Sequence, residues 1–545
     1  MLDLCRAHVT HRQLWMALVL LAPLGAFVRA VLARWTPEGD DATIVLRSRE
    51  LLHGQFPLQG TRSTAGGSDA ALANHHLGPL ELHILMPASI IGSGWVIALT
   101  CVAVAAVCSV ATVHWAHRIG GDPAVVVFGA GLLVVQAALG PEALFRPFNP
   151  YFGLLPIYLA LVLLAACVAG LPGTGWPLVV TTAVVAQANL AYAPIGLGIA
   201  AAALAVAGWR ALRERRPARS TLDRSWDRFR PSPAVTWALV CAGLVWAPVL
   251  LEPLRHDPGN LVQLAKAARS GVATQGLEGA LARVGLFAPE PGGFRPIGLD
   301  LVYEPSWTSQ VLGVLVLGLL GGSAVRWGAA RRRRVATVPA RVALLGAALL
   351  LVTVARLPVD GLASHYLASV IPVVVFAWAA IVWRAVMHVR QLPRAFDRMV
   401  VTRLVPPAAA LSLLLAVLAH PVSTVGSDLG CGASTLVLEA SSEFRPGSSV
   451  TVSGRGYLAS LSTTPAVALQ LERAGFTTHY LYAWPTSEDA ERFATVRAPA
   501  DTVRVHLIGS DTPDRTPPAG FRPLGTVGLS ARDSVAVYVQ VPSPW

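Results

Sequence analysis

Long apolar runs separated by short polar connections dominate this chain. Eleven stretches are close to the roughly 20 residues that an α-helix needs to cross a bilayer: 14–33, 94–115, 123–140, 150–169, 177–193, 194–209, 234–251, 307–325, 340–356, 366–383 and 400–420. A further apolar stretch, 77–91, contains Glu81 and His83, is interrupted by Pro79 and Pro87, and runs into Gly92-Ser93-Gly94. Arginine placement decides how to read it. If 77–91 does not cross, the basic connections (His117-Arg118, 210–233, 326–334 and 384–403) all fall on the side of the N-terminus, the cytoplasm by the positive-inside rule. If it crossed, all four would flip. The stretch 77–91 is therefore predicted to be an amphipathic helix in the outer interface. Segment 42–54 has apolar residues at helical spacing interrupted by Arg47, Arg49 and Glu50. It predicts a second interfacial helix, ended by Gly54 and Pro57. A Gly/Ser/Thr-rich loop, 59–73, joins the two.

Beyond residue 420 the pattern changes. Alternating runs at 449–453, 477–483, 502–508 and 533–541 predict strands, and 464–474 and 487–494 predict helices. The expected fold is an all-α polytopic membrane domain, 1–420, with about eleven spans and two interfacial helices in a first outer loop, 34–93. A basic cytoplasmic loop, 210–233, and a second outer loop, 252–306, follow. A small extracytoplasmic α/β or α+β domain, 421–545, completes it.

Composition agrees. Charged residues are 14% of the chain, against about a quarter in a soluble protein. The net charge of +12 does not point to nucleic acid, because the arginines sit in short loops where they orient the chain. Lys266 is the only lysine. Four of the six cysteines lie in apolar runs, and their spacing suggests neither a disulfide framework nor a metal site. The first apolar run is too long for a signal peptide and Val28-Arg29-Ala30 is a poor cleavage site, so it is read as an uncleaved span with a cytoplasmic N-terminus.

Against this background the adjacent pair Asp40-Asp41 stands out, at the water edge of the first span. A first span, an acidic pair, two interfacial helices and many further spans together resemble the GT-C superfamily of integral-membrane glycosyltransferases, best over residues 1–210. In that family the first outer loop carries the catalytic Asp or Glu. The resemblance thus implies Asp41, with Asp40 as second choice, as the base that takes the acceptor's hydroxyl proton. The second carboxylate would raise the first one's proton affinity, orient the acceptor or hold a divalent cation. The plainer alternative is that an aspartate only caps helix 42–54.

The run His75-His76-Leu77-Gly78-Pro79-Leu80-Glu81 loosely matches the family's basic-then-proline motif near the lipid phosphate. His75 and His76 are thereby candidate phosphate contacts at a helix start, against two interfacial histidines without a ligand. Glu81 is a candidate for the cavity, against snorkelling. Arg146 and Asn149, in Arg146-Pro147-Phe148-Asn149-Pro150, would face the outer cavity, although Asn-Pro is also an ordinary helix start. Gln187, Asn189 and Tyr192 either bond a neighbouring helix or line a substrate path. Glu304, beside Asp300 and Tyr303, and Arg356, His365 and Tyr366, around Asp360, complete the outer candidates. Each has a structural salt bridge as its competitor. No metal ligands are assigned, and the resemblance leaves a divalent cation open.

The implied activity is transfer of a sugar from a polyprenyl-phosphate carrier to a glycan or lipid acceptor of the cell envelope, on the outer face of the cell membrane. The rival classes are a transporter of lipid-linked sugars, which would be expected to show repeat symmetry and polar groups at mid-span, and a non-catalytic scaffold.

Overall fold

A computed structural model describes residues 11–63, 74–214, 233–270, 273–288, 306–325, 331–357, 359, 367–389, 422–444, 448–480, 499, 502–530 and 533–542. The predicted span 400–420 and helix 487–494 lie outside them. Nine helical segments among the described residues are long and apolar enough to cross a membrane, so the chain is read as a multi-pass membrane protein.

The first helix, α1, is His11–Leu32. The first loop follows with α2 (Gly39–Ser48), a two-residue hairpin of β1 (Arg62–Ser63) and β2 (Asn74–His75), and α3 (Leu80–Ile91). Next come α4 (Gly94–Gly120), α5 (Asp122–Leu139), the single turns α6 (Glu142–Phe145) and α7 (Asn149–Phe152), and α8 (Leu154–Ala169). Then follow α9 (Gly175–Ala188), α10 (Ala193–Glu214), α11 (Pro233–Leu251), α12 (Asn260–Arg269) and α13 (Gly276–Leu281). The membrane part closes with α14 (Trp307–Val325), α15 (Arg331–Ala355) and α16 (Val370–Val389). Helix α8 sits at the centre, packed by α4, α9, α10, α15 and α16. Helices α11 and α14 are mostly exposed along their apolar lengths, as expected where lipid is the partner.

Helix α3 has 12 residues, about 18 Å of rise, too little to cross about 30 Å of hydrocarbon. Leu80 N–H donates to Gln187, and Gly92 lies against Arg473. The non-crossing reading of 77–91 therefore holds, with the helix starting three residues later than the apolar stretch.

Helix α9 departs more from expectation. The stretch 177–193 was predicted to span, but the helix stops at Ala188 after 14 residues, about 21 Å. Asn189 leaves the helix in extended conformation and accepts the Ala191 N–H with its own side chain. Pro194 then opens α10 near its first position, where its missing N–H costs nothing. The connection 189–192 is consequently recessed inside the bundle. Gln187 and Tyr192 are also spent structurally, on Val245 and Pro150 carbonyls.

The C-terminal part is a five-stranded mixed sheet, ordered β4-β3-β5-β7-β6, of β3 (Ser449–Arg455), β4 (Thr477–Tyr480), β5 (Val503–Gly509), β6 (Arg522–Gly528) and β7 (Ser534–Gln540). Strands β3, β4 and β5 are parallel; β7 is antiparallel to β5 and β6. Helices α17 (Val425–Ala440) and α18 (Thr464–Arg473) pack on it, and α18 also packs on α2. Four of these strands match the alternating runs. The sequence pattern missed β6, whose Pro523 and two glycines hide it, as befits an edge strand. It also missed α17.

Candidate functional site

Helix α2 begins at Gly39, three residues before its predicted start. Glu38 is the N-cap in extended conformation and its side chain makes no cap bond. The reading of Asp40 or Asp41 as the cap is thereby corrected: both lie inside the first turn, where free N–H groups favour carboxylates. Consecutive helical residues point about 100° apart, and here that separates the pair. Asp40 is exposed, whereas Asp41 is fully buried.

Asp41 meets a guanidinium from 105 residues away. Arg146 Nε donates to Asp41 Oδ2 at 2.7 Å, its Nη1 donates to Glu142 at 3.1 Å, and Glu38 lies 3.9 Å from its Nη2. Three carboxylates thus share one arginine, so the cluster holds more negative charge than it can neutralise. Burial, opposed by Arg146, lifts the proton affinity of Asp41 to about 7. Glu38 is raised by the same two opposing influences. Burial works against the charge of Arg146, but Asp41, Glu142 and Glu38 outweigh it and hold its proton above the usual range. The second oxygen of Asp41, Oδ1, is buried and has no partner among the described residues.

A second carboxylate repeats this pattern. Glu81, one residue into α3, is buried; its Oε2 accepts from Asn149 Nδ2 at 3.1 Å, and its Oε1 has no partner among the described residues. Burial, then the charge of Asp41, pushes its proton affinity well up. Asn149 divides its amide further between Thr61 and the Ala188 carbonyl at the early end of α9. The recessed connection is therefore what lets the hairpin, α3 and α7 converge. Gly78 permits the approach: a Cβ there would stand 2.3 Å from the Gln187 side chain.

His76 is buried and accepts the Leu190 N–H on Nδ1 at 2.9 Å. Burial and neighbouring His75 lower its proton affinity to about 3, so it is a neutral imidazole whose Nε2–H can donate. His75 is tied through its backbone to Asn260, which also takes the His75 and His76 carbonyls. His83 instead donates to the Pro57 carbonyl and packs on Phe56, a structural role. Arg356 is exposed just beyond α15, beside the pairing of Gln275 with Leu357. Glu304, His365 and Tyr366 lie outside the described residues, as do Asp300, Tyr303 and Asp360.

The structure therefore brings Asp41, Arg146, Glu81, Asn149, His75 and His76 to one end of the bundle and turns Asp40 away. Sequence reasoning missed Glu38, Glu142, Thr61 and Asn260. Only the Glu142/Arg146 spacing of four carried a signal. Among the described residues no group of three or more His, Cys, Asp or Glu side chains converges as a metal site. Asp41 Oδ1 and Glu81 Oε1 are buried carboxyl oxygens without a partner among the described residues, fewer ligands than a hard cation needs.

No protein-family model matches the sequence, and no curated protein matches it. Among solved structures the chain is similar to the crystal structure of ArnT from Cupriavidus metallidurans in the apo state. Identity is 14% over 97% of this chain and 98% of that one, with a TM-score of 0.37. At those values the likeness adds nothing to what the residues themselves say.

Proposed function

We propose that this chain is a GT-C-type membrane glycosyltransferase that moves a sugar from a polyprenyl-phosphate carrier to a glycan or lipid acceptor on the outer face of the cell membrane. Its N-terminus is cytoplasmic and its C-terminal domain extracytoplasmic. The observation that carries the reading is Asp41: buried, one oxygen fixed by Arg146, the other unpartnered, and a proton affinity near neutrality. A general base works best when its proton affinity lies near the working pH.

The acceptor hydroxyl attacks the anomeric carbon and its proton passes to Asp41 Oδ1. The new C–O bond forms as the bond from the anomeric carbon to the phosphate oxygen breaks, and the polyprenyl phosphate leaves with the electron pair. Glu81, held by Asn149, orients the acceptor. The Nε2–H of His76 and the exposed Arg356 are the proposed phosphate contacts. Arg146 positions the base, since its own charge is already taken up by three carboxylates.

The test is transfer from a polyprenyl-phosphate sugar by Asp41→Asn, Asp40→Asn and the double variant. The expected result is loss with Asp41→Asn and near-normal transfer with Asp40→Asn. Full transfer by the double variant overturns the base. Folded wild-type protein that transfers sugar from no such carrier overturns the reading and favours a transporter.

A further inference from the structure

A groove of about 360 Å³ opens between the first loop and the C-terminal domain, away from the Asp41 cluster. It is lined by Arg49, Ile90, Ile91, Leu438, Gln470 and Arg473. Its two cations are held differently. The Arg49 side chain is buried: Nε donates to Glu472 at 2.8 Å and Nη1 to the Ser89 and Ile90 carbonyls. Its Nη2 has no partner among the described residues. Arg473 is exposed, lies against Gly92 and donates only to the Gln470 side-chain oxygen, with no carboxylate paired to it among the described residues. Glu472 does not neutralise it, because that carboxylate already serves Arg49, His53 and Thr478. Two guanidinium groups thus face one opening with a single carboxylate between them, and that carboxylate is turned away.

The opposite wall is apolar and sits at a defined depth. Ile90 and Ile91 are 51% and 63% exposed, and the spanning helix α4 begins three residues later with Trp95 53% exposed. Exposed tryptophan at a span's first turn marks the headgroup level. A cationic notch beside an exposed aliphatic ledge at that depth matches an amphiphile with an anionic head. A free anion would have no use for the ledge.

We propose that this groove binds the phosphodiester headgroup of an anionic phospholipid, with Arg473 and Arg49 Nη2 on the phosphate and an acyl chain along Ile90 and Ile91. Guanidinium suits such a group because its fork donates two parallel bonds. The site is separate from the transfer chemistry proposed above and stands or falls without it.

Native mass spectrometry of the full chain in detergent tests it, with phosphatidylglycerol, phosphatidylcholine of the same acyl chains, and inorganic phosphate as probes. Wild type is expected to retain the first phosphatidylglycerol at several-fold higher occupancy than phosphatidylcholine. Arg473→Gln should bring the two lipids level, while Arg255→Gln, at an exposed arginine elsewhere on the same side, should not. Ile91→Ser, which removes ledge without touching charge, should lower occupancy of both lipids. Equal retention of the two lipids by wild type, or unchanged preference in Arg473→Gln, overturns the proposal. So does inorganic phosphate that binds and displaces the lipid, which would make this a free-anion site.

Discussion

Helix α2 carries a buried acid–arginine pair at each end, and the two pairs differ in one respect. At its C-terminal end Arg49 meets Glu472, whose oxygens are all used: Oε1 by Arg49 and His53, Oε2 by Thr478. At its N-terminal end Arg146 meets Asp41, and Asp41 Oδ1 is left over. Both pairs pay desolvation. A saturated pair spends its hydrogen-bonding capacity on holding elements together, here α2 on α18. A pair with a spare buried oxygen keeps capacity for something that arrives later. The spare oxygen, rather than the ion pair, distinguishes a site from a rivet.

The comparison can be broken in order of expected effect. Asp41→Asn should lower kcat by roughly 10²–10⁴, the usual contribution of a positioned base, while the protein remains folded. Its stability carries a second signature. With its proton affinity raised to about 7 from the ordinary 3.8, Asp41 in the folded protein holds a proton that the unfolded chain releases between those values. Its contribution to stability therefore falls as pH rises through that window. Asp41→Asn should gain in melting temperature relative to wild type between pH 5 and pH 8, and wild-type kcat/KM should rise with a midpoint near pH 7. A constant difference in melting temperature would show that the Asp41 carboxyl keeps an ordinary proton affinity.

Glu472→Ala should do the reverse. It leaves Arg49 buried without its partner and should cost about 3–5 kcal/mol of stability, read by thermal unfolding in detergent. The paired replacement Arg49→Met with Glu472→Leu should recover most of that. A loss of transfer at unchanged stability would contradict the structural role. Asn149→Ala removes the fixed donor from Glu81, whose raised proton affinity keeps it a neutral carboxyl, and should slow transfer roughly fivefold, the worth of one ordinary hydrogen bond of about 1 kcal/mol. Asp40→Asn, at an exposed position, should change transfer by no more than about twofold, in keeping with surface substitutions generally.

The helical membrane architecture and the C-terminal sheet were legible in the sequence because span length and alternating strands are local patterns. Even the choice between the two aspartates had a local signal. Positions i+3, i+4 and i+7 from Asp41 are Ile44, Val45 and Ser48, whereas those from Asp40 are Thr43, Ile44 and the charged Arg47. A carboxylate on an apolar stripe is the informative one. What no local pattern could supply was the partner. Arg146 lies 105 residues from Asp41 and Asn149 lies 68 from Glu81. The early stop of α9 was hidden for the same reason. The stretch 177–193 is apolar enough to continue, and it ends where it does because Asn189 caps the next turn and His76 accepts the Leu190 N–H.

The seat of α2 has a consequence in time. Thr36 bonds Ser427, Glu38 bonds Ser462 and Arg49 bonds Glu472, partners 391 to 424 residues apart. At roughly 5–20 residues per second of synthesis, the helix bearing Asp41 waits on the order of 20–80 s for the segment that holds it. The helix that carries the proposed base reaches its seat only when the last quarter of the chain has been made. A nascent or truncated chain thus carries the candidate residues without the contacts that seat α2.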